Sequence, residues 1–218
     1  MSLSEGLALV FDLDGVIVDS MPVHTESWRL YLRRFGIPSN DLEERMYGLR
    51  NDDIVRNFFG AGLSAREIFE HGAAKEQLYR ELTGADLESH MVPGIAEFLH
   101  RYSAAPMAVA SNAEPANIDF VLNGAGLRHR FKVIVDGMQV HHPKPYPDVY
   151  LKAADELGVV PKNCIVFEDS LAGVRAARAA GARVVGVETH AAVEDVDFRV
   201  LDFRASGLDQ WLSEQRAV

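Results

Sequence analysis

Cysteine is almost absent from this sequence. The 218 residues include a single cysteine, Cys164, so the chain cannot form an internal disulfide. Cys164 lies in the apolar segment CIVF, and a cysteine in such a setting is more often a buried structural thiol than a reactive one. We therefore expect Cys164 to be structural.

Long hydrophobic runs are also missing. Although 48% of the residues are hydrophobic, no segment approaches the roughly 18 consecutive apolar residues that cross a bilayer. The N-terminal segment MSLSEG lacks the charged and apolar regions of a signal peptide. These absences predict a soluble protein with no signal peptide, no membrane partner and a cytoplasmic location.

Positive charge is in deficit. The chain has 22 lysines and arginines against 32 aspartates and glutamates, a net charge of −10. General nucleic-acid binders need a basic surface that displaces counterions from phosphates. The composition therefore argues against nucleic acid as a partner, and any anionic ligand must be attracted locally.

Apolar segments typical of buried strands alternate with helical segments along most of the chain. The helices in PDVYLKAADELG and SLAGVRAARAAG end at Gly158 and Gly181, as C-capping glycines do. This alternation predicts an α/β fold with a doubly wound, Rossmann-like parallel sheet. The predicted strands are LALVFDLD (7–14), MAVAS (107–111), FKVIV (131–135), NCIVFED (163–169) and ARVVGV (182–187).

Residues 20–91 interrupt this alternation with helical patterns alone. Trp28, Tyr31 and Leu32 follow helical spacing, and further helical material follows from Ser64 to Leu82. We predict a core domain of residues 1–19 and 92–218 and an inserted helical cap domain of residues 20–91. An insert after the first strand would lie above the edge where open parallel sheets bind ligands.

Polar side chains follow four of the predicted strands, at the edge where such sheets place their functional groups. Strand alternation would put Asp12 and Asp14 on the same side, where two like charges repel. Several carboxylates can share one crevice if Mg²⁺ lies between them, because this ion prefers oxygen ligands. The polar strand ends are Asp12 and Asp14, Ser111 and Asn112, Lys144, and Glu168 and Asp169.

This combination of side chains indicates phosphoryl transfer. One carboxylate close to Mg²⁺ and Lys144 would keep a low pKa and attack phosphorus, while the other would shuttle the proton. Ser111, Asn112 and the helix start at Pro115 would hold the phosphate. Lys144 would neutralise charge on the phosphoryl oxygens.

The segments DLDGVIVDS, PKPYPDVY and FEDSLAGVRAA, with the serine at the second strand end and the helical insert, resemble the haloacid dehalogenase superfamily. They resemble in particular its branch of small-molecule phosphatases and β-phosphoglucomutase-like proteins with a helical cap. The resemblance implies that Asp12 is the nucleophile and Asp14 the general acid/base. It also implies that Ser111 and Lys144 bind phosphate and that Asp169 binds Mg²⁺, with Glu168 beside it or acting through water. The Asp14 carbonyl would be a further metal ligand.

Each of these residues, considered alone, also has a simple structural explanation. A single D-x-D is common in turns, an isolated lysine is usually solvated, and Ser111 can simply cap a helix. The resemblance places a histidine at the cap hinge, where this chain has His24, which is otherwise a helix-surface residue. Arg50 would contact the substrate or form a surface salt bridge.

The sequence favours a Mg²⁺-dependent phosphatase for a small phosphorylated metabolite, such as a sugar phosphate. Mutase-type relatives carry a lysine shortly after the serine of the second strand, whereas this chain has Ala113 and Glu114 there. A carboxylate at that place repels a second phosphate. A β-phosphoglucomutase-like transfer enzyme is the alternative, and a non-catalytic phospho-ligand module is a third. We expect a monomer or weak dimer.

Overall fold

The computed structural model describes residues 3–46 and 51–218. The chain folds into two compact units, one comprising the residues up to Asp19 together with Glu88–Val218, and the other Ser20–Leu87. Among the described residues, no helix combines the length and the apolar character needed to cross a bilayer.

The first unit, which we call the core unit, is built on a six-stranded sheet in the order β3-β2-β1-β4-β5-β6. All neighbouring strands are parallel, so the predicted doubly wound α/β fold is confirmed. The strands are β1 (Ala8–Phe11), β2 (Met107–Ala110), β3 (Val133–Val135), β4 (Cys164–Glu168), β5 (Arg183–Val187) and β6 (Phe198–Val200). The sequence did not predict β6, a three-residue strand at the sheet edge.

The register of the central strands aligns their carboxyl ends. Phe11, the last residue of β1, pairs with Val109 on one side and with Phe167 on the other. Residues that follow β1 therefore emerge between the end of β2 and the end of β4, where Glu168 is the last strand residue. This register brings together the polar strand ends that the sequence contains.

Helices cover the sheet in the core unit. Two of them, α7 (Asp148–Leu157) and α8 (Leu171–Ala180), end at Gly158 and Gly181 with φ of 77° and 86°, so the predicted C-caps are confirmed. In chain order the helices of both units are α1 (Met21–Arg33), α2 (Leu42–Met46), α3 (Asn51–Phe59), α4 (Ala65–Gly84), α5 (Ile95–Arg101), α6 (Pro115–Gly124), α7 (Asp148–Leu157), α8 (Leu171–Ala180) and α9 (Ser206–Glu214). Short 3-10 turns lie at Leu87–His90, Arg128–Arg130 and Pro161–Asn163.

The two faces of the sheet differ in composition. On one face, Phe11 and Phe167 stack with ring centroids 4.7 Å apart, and Phe98 and Phe203 pack around them. The alternate residues on the other face are small, including Ala8, Val10 and Val166, and they pack in one cluster with residues of α7 and α8. By the period of two in a strand, Glu168 belongs to this second face.

The second unit, Ser20–Leu87, contains helices α1–α4 and is called the helical unit below. It has its own apolar cluster, which includes Trp28, Leu32 and Ile54. Helix α4 begins with a capping box in which Ser64 and Glu67 exchange hydrogen bonds. The helical character predicted from the sequence for this segment agrees with these elements.

The chain leaves and re-enters the core unit at adjacent backbone segments. Val18 forms an antiparallel bridge with Met91, and the Asp19 N–H donates to the His90 carbonyl at 2.7 Å. This pairing holds Glu88–Met91 in the core unit, although the sequence pattern placed these residues in the insert.

Candidate active site

Asp12 emerges at the end of β1, in the centre of the sheet. Its backbone N–H donates to the Phe167 carbonyl at 3.1 Å, which continues the pairing with β4 for one residue beyond the strand. The Asp12 carboxylate is buried, and its Oδ1 lies 2.9 Å from Lys144 Nζ. A buried carboxylate and a buried ammonium group therefore face each other at the strand end.

Lys144 lies between two carboxylates. Its Nζ is 2.6 Å from Glu168 Oε1 as well as 2.9 Å from Asp12 Oδ1. Burial alone would lower the pKa of Lys144, but the charges of Asp12 and Glu168 raise it above the usual value. Lys144 therefore stays protonated and supplies a fixed positive charge.

Glu168 is fully buried, with 0% of its surface exposed, and it accepts several hydrogen bonds. Oε1 accepts from Lys144 Nζ at 2.6 Å and from the Tyr150 hydroxyl at 2.5 Å. Oε2 accepts from the backbone N–H groups of Asp169 and Ser170 and from the Ser170 hydroxyl, all at 3.1 Å. The carboxylate therefore joins Lys144 to the start of α8.

Two glycines permit this close packing. A Cβ at Gly173, in the first turn of α8, would lie 1.7 Å from Glu168 Oε1, so only glycine leaves room for that carboxylate. Gly15 has φ of +74°, and a Cβ there would lie 1.9 Å from Asp169 Oδ2. The glycines of D-x-D-G and E-D-S-x-x-G thus have a steric function that the sequence pattern did not reveal.

The carboxylates of Asp12, Glu168 and Asp169 form an acidic cluster, in which one oxygen of each lies within 4.8 Å of the others. Burial raises the pKa of Asp169 well above its usual value, and the charges of Glu168, Asp12 and Asp14 act in the same direction. Asp14 follows the strand and forms a β-bridge with Val18. Because β1 ends at Phe11, regular strand alternation does not govern the position of Asp14.

The pKa of Asp12 differs from the sequence-based expectation. Burial raises it from 3.8 to about 7, because the opposing effect of Lys144 is smaller than burial combined with the charges of Glu168 and Asp14. The sequence predicted a low pKa from the neighbouring lysine and a metal ion together. Lys144 by itself therefore does not keep this carboxyl strongly acidic.

The acidic cluster fits a hard divalent cation. The cation Lys144 contacts this cluster through Asp12 and Glu168. Burial, together with the mutual repulsion of the carboxylates, raises the pKa values of Asp12 and Asp169. An ion such as Mg²⁺ relieves this repulsion and takes carboxylate oxygens as ligands. Glu168 already accepts hydrogen bonds on both oxygens, so Asp12 and Asp169 are the better-placed ligands.

Ser111 and Asn112 follow β2, beside the acidic cluster in the strand order. The Ser111 N–H donates to the Val135 carbonyl at 3.0 Å, and its hydroxyl accepts from the Ala113 N–H at 3.2 Å. Asn112 Oδ1 accepts from the Lys144 N–H at 3.1 Å. The Asn112 side chain therefore orders the backbone that carries Lys144, in a role that the sequence did not predict.

The residues predicted to lie in the cap are found in the helical unit or outside the described residues. His24 lies on α1, with Nδ1 2.6 Å from Lys75 Nζ and its ring stacked on Tyr79 at 3.9 Å. Its side chain is 14% exposed, so His24 is part of a largely buried network. Arg50 lies outside the described residues.

Comparisons with known proteins agree with this arrangement. A family model described as haloacid dehalogenase-like hydrolase matches residues 7–181. The fructose-1-phosphate phosphatase YqaB of Escherichia coli (strain K12) is 34% identical over 182 residues, covering 82% of this chain and 95% of that protein. The β-phosphoglucomutase of Bacillus subtilis (strain 168) is 29% identical over 188 residues, covering 83% and 82%.

A solved structure gives the same result. β-Phosphoglucomutase from Clostridium difficile superimposes with a TM-score of 0.82 at 26% identity, covering 94% of this chain and 96% of that one. The family match and these relatives support a role as a phosphatase or phosphoryl-transfer enzyme. The chain therefore belongs to the haloacid dehalogenase-like hydrolases.

Proposed function

We propose that this protein is a Mg²⁺-dependent phosphatase that hydrolyses small phosphate monoesters, such as sugar phosphates, through an aspartyl-phosphate on Asp12. The observation that carries the proposal is the contact between Asp12 and Lys144, 2.9 Å apart and both buried at the carboxyl end of the sheet. A carboxylate nucleophile beside a fixed cation suits attack on a negatively charged phosphoryl group.

The proposed reaction uses Asp12 and Asp14 in turn. An Asp12 carboxylate oxygen attacks phosphorus and the bond to the ester oxygen breaks, while Asp14 gives its proton to that oxygen. Asp14 then takes a proton from the water that attacks the aspartyl-phosphate, which releases phosphate and restores Asp12. Lys144, Ser111 and the N–H groups before α6 would hold the phosphoryl oxygens.

The same proposal assigns the metal ligands. Asp12 and Asp169 would hold Mg²⁺, with the Asp14 carbonyl as a further ligand and Glu168 beside them. When bound, the ion supplies positive charge that keeps Asp12 ionised and neutralises the phosphoryl oxygens. The acidic cluster and the raised pKa values of Asp12 and Asp169 support this assignment.

Glu114 is the reason for proposing a phosphatase and not a mutase, which would move a phosphoryl group from one position of a sugar to another. This residue is the N-cap of α6, two positions after Asn112. A negative charge at that place opposes the second phosphate of a bisphosphate intermediate, which a mutase must hold. The relative named as a fructose-1-phosphate phosphatase supports a sugar phosphate as the substrate class.

The helical unit is proposed as the cap that selects the substrate and excludes water. Contributions of His24 and Arg50 to that selection stay predictions. A cytoplasmic location and a monomeric or weakly dimeric state also stay predictions.

The test is phosphate release from a panel containing fructose 1-phosphate, β-glucose 1-phosphate, phosphoglycolate and nucleotides. Each substrate is assayed with Mg²⁺ and with a chelator, and isomerisation of β-glucose 1-phosphate is followed in parallel. We expect Mg²⁺-dependent release from a few related monoesters and no isomerisation. Isomerisation without net release would instead establish a mutase.

The catalytic assignment is tested with Asp12→Asn and a matched control, Asp119→Asn, at an exposed position on α6. We expect Asp12→Asn to lower kcat by at least about 1,000-fold, because an amide cannot act as the nucleophile. The control should keep wild-type activity. Substantial turnover by Asp12→Asn would contradict the aspartyl-phosphate mechanism.

A further inference from the structure

Tyr150 is a buried aromatic residue that contacts two members of the candidate site. It lies on α7, which packs against β1, β2 and β3, and only 2% of its surface is exposed. Its hydroxyl donates to Glu168 Oε1 at 2.5 Å. The face of its ring lies toward Lys144, with Nζ 4.9 Å from the ring centroid. One side chain thus meets both partners of an ion pair.

The position of Lys144 depends on a balance between two carboxylates. Its Nζ is closer to Glu168, at 2.6 Å, than to Asp12, at 2.9 Å. A second donor places positive partial charge next to the carboxylate oxygen, so the net electrostatic attraction of that oxygen for the ammonium group is smaller. The Tyr150 hydroxyl supplies this second bond at the Glu168 oxygen that binds Lys144. It therefore shifts the balance toward Asp12.

The aromatic ring of Tyr150 also helps to hold the Lys144 ammonium group in place. An ammonium group within about 6 Å of an aromatic centroid is attracted to the ring face, and more strongly when both are shielded from water. Lys144 and Tyr150 are both buried. Burial and the neighbouring carboxylates also raise the pKa of the Tyr150 hydroxyl well above its usual value, so it remains a donor to Glu168.

We propose that Tyr150 is a positioning residue for the phosphoryl-transfer reaction, which holds the Lys144 ammonium group beside Asp12 through its hydrogen bond to Glu168 and its ring face. The inference rests on the proposed function, because Lys144 is the group through which Tyr150 acts. Tyr150 itself contacts Glu168 and Lys144 and is not assigned a contact with substrate.

The test compares Tyr150→Phe, which keeps the ring and removes the hydroxyl, with Tyr146→Phe as a matched control. Tyr146 lies four positions earlier and is 56% exposed. We expect Tyr150→Phe to lower kcat about fivefold, with KM changed less than about twofold, since misplacing a charge costs most in the transition state. Tyr146→Phe should match the wild type.

A double-mutant cycle with Lys144→Ala separates positioning from general stabilisation. If Tyr150 acts through Lys144, then Tyr150→Phe should have no further effect on kcat in the Lys144→Ala background. A multiplicative loss in the double variant would overturn the proposal. So would wild-type kcat in Tyr150→Phe when Lys144→Ala is impaired.

Inhibition by orthovanadate, a mimic of the phosphoryl-transfer transition state, gives a second measurement. Its inhibition constant should rise in Tyr150→Phe about as much as kcat falls, while that of inorganic phosphate changes less than about twofold. Equal changes in both constants would contradict a transition-state role. Tyr150→Leu removes the ring as well and should lower kcat further; if it does not fold, the Phe variant still decides.

Failure of the two proposals can be told apart. If the wild type releases no phosphate from any monoester with Mg²⁺, the proposed function fails. If the wild type is active, Lys144→Ala is impaired and Tyr150→Phe is unaffected, only the role of Tyr150 is rejected.

Discussion

Individual glycines determine how closely the acidic groups pack in the candidate site. Gly15 combines a left-handed backbone with the near contact of Asp169, and Gly173 allows Glu168 to lie against the first turn of α8. Adding one methyl group at either place would push a carboxylate out of the cluster. The spacing of the acidic cluster therefore depends on two residues that have no functional group.

The Gly15→Ala variant tests this dependence. A Cβ there would lie 1.9 Å from Asp169 Oδ2, so we expect loss of Mg²⁺-dependent activity by about 100-fold or more. Gly36→Ala is the matched control, since Gly36 has φ of +68° and nothing within 4 Å of an added Cβ. Backbone strain should destabilise Gly36→Ala by about 1 kcal/mol, and Gly15→Ala by at least as much.

Phosphatase assays and thermal unfolding of the two variants are the measurements. Normal activity in Gly15→Ala would mean that Asp169 is free to move without consequence. Equal loss of activity in both variants would attribute the effect to backbone strain alone.

The sequence identified most of the polar residues of the site, because polar groups at the ends of parallel strands stand out against apolar strands. It did not identify Tyr150, since one tyrosine among the apolar residues of a helix has the pattern of a core residue. Phosphate binding by Asn112 stays a prediction, and the sequence did not indicate that its side chain also accepts a hydrogen bond from the Lys144 backbone. These contacts depend on residues distant in the chain, which periodicity does not reveal.

At the scale of secondary-structure elements, helix α4 carries a charged group inside the helical unit. Glu76 is buried and accepts from Lys75 Nζ at 2.9 Å and from Asn51 Nδ2 at 2.5 Å. Burial alone would raise the pKa of Glu76, but the charge of Lys75, aided by His24 and Asn51, lowers it to about 2. The ion pair lies within α4, and the Asn51 side chain links its carboxylate to α3. Burying both charges carries a cost in desolvation.

Replacing one member of this pair should destabilise the helical unit. We expect Glu76→Gln to lower the free energy of unfolding by about 3 kcal/mol, because it removes the negative charge that faces the buried ammonium group of Lys75. Glu70→Gln on the same helix removes an exposed pair with Arg66 and should cost less than about 0.5 kcal/mol. Equal losses of stability in Glu76→Gln and Glu70→Gln would show that burial does not strengthen the Lys75–Glu76 ion pair.

The Glu76 carboxyl also makes the stability of the protein depend on pH, in a direction that its pKa fixes. The folded pKa of about 2 lies below the ordinary 4.5, so the contribution is present above pH 4.5 and is lost as the pH falls toward 2. Between these values the wild type should lose stability that Glu76→Gln does not lose. Urea unfolding in a Trp211→Phe background, followed by the fluorescence of Trp28 beside Lys75, measures this difference.

Elements with strong local signals were predicted well, and weakly marked elements were not. Helices α7 and α8 carry a regular apolar face and a C-capping glycine, so their ends could be read from the sequence. Strand β6 contains an exposed arginine within its three residues. Its position at the sheet edge depends on pairing with β5, which is a tertiary effect.

At the scale of the whole molecule, Cys164 reports on the opening of the core unit. It lies on β4, between β1 and β5, with 2% of its surface exposed. Burial raises the pKa of its thiol to about 11, so little thiolate is present at neutral pH. A thiol reagent should therefore react only when the sheet opens.

We expect a disulfide reagent such as DTNB to label the native protein at pH 8 at least about 1,000-fold more slowly than the urea-unfolded chain. The labelling rate should rise with urea in parallel with unfolding of the core unit. Complete labelling of the native protein within seconds would contradict the burial of Cys164.

The bridge between Val18 and Met91 has a consequence for how such proteins diversify. Because the two backbone segments that flank the helical unit run side by side within the core, a segment of almost any length can be spliced between them without disturbing the sheet. The residues proposed for chemistry all belong to the core unit. With the helical unit as the proposed substrate-selecting cap, recombination at this junction would exchange that unit and keep the residues proposed for phosphoryl chemistry. Substrate range and reaction type would then evolve on separate parts of one gene.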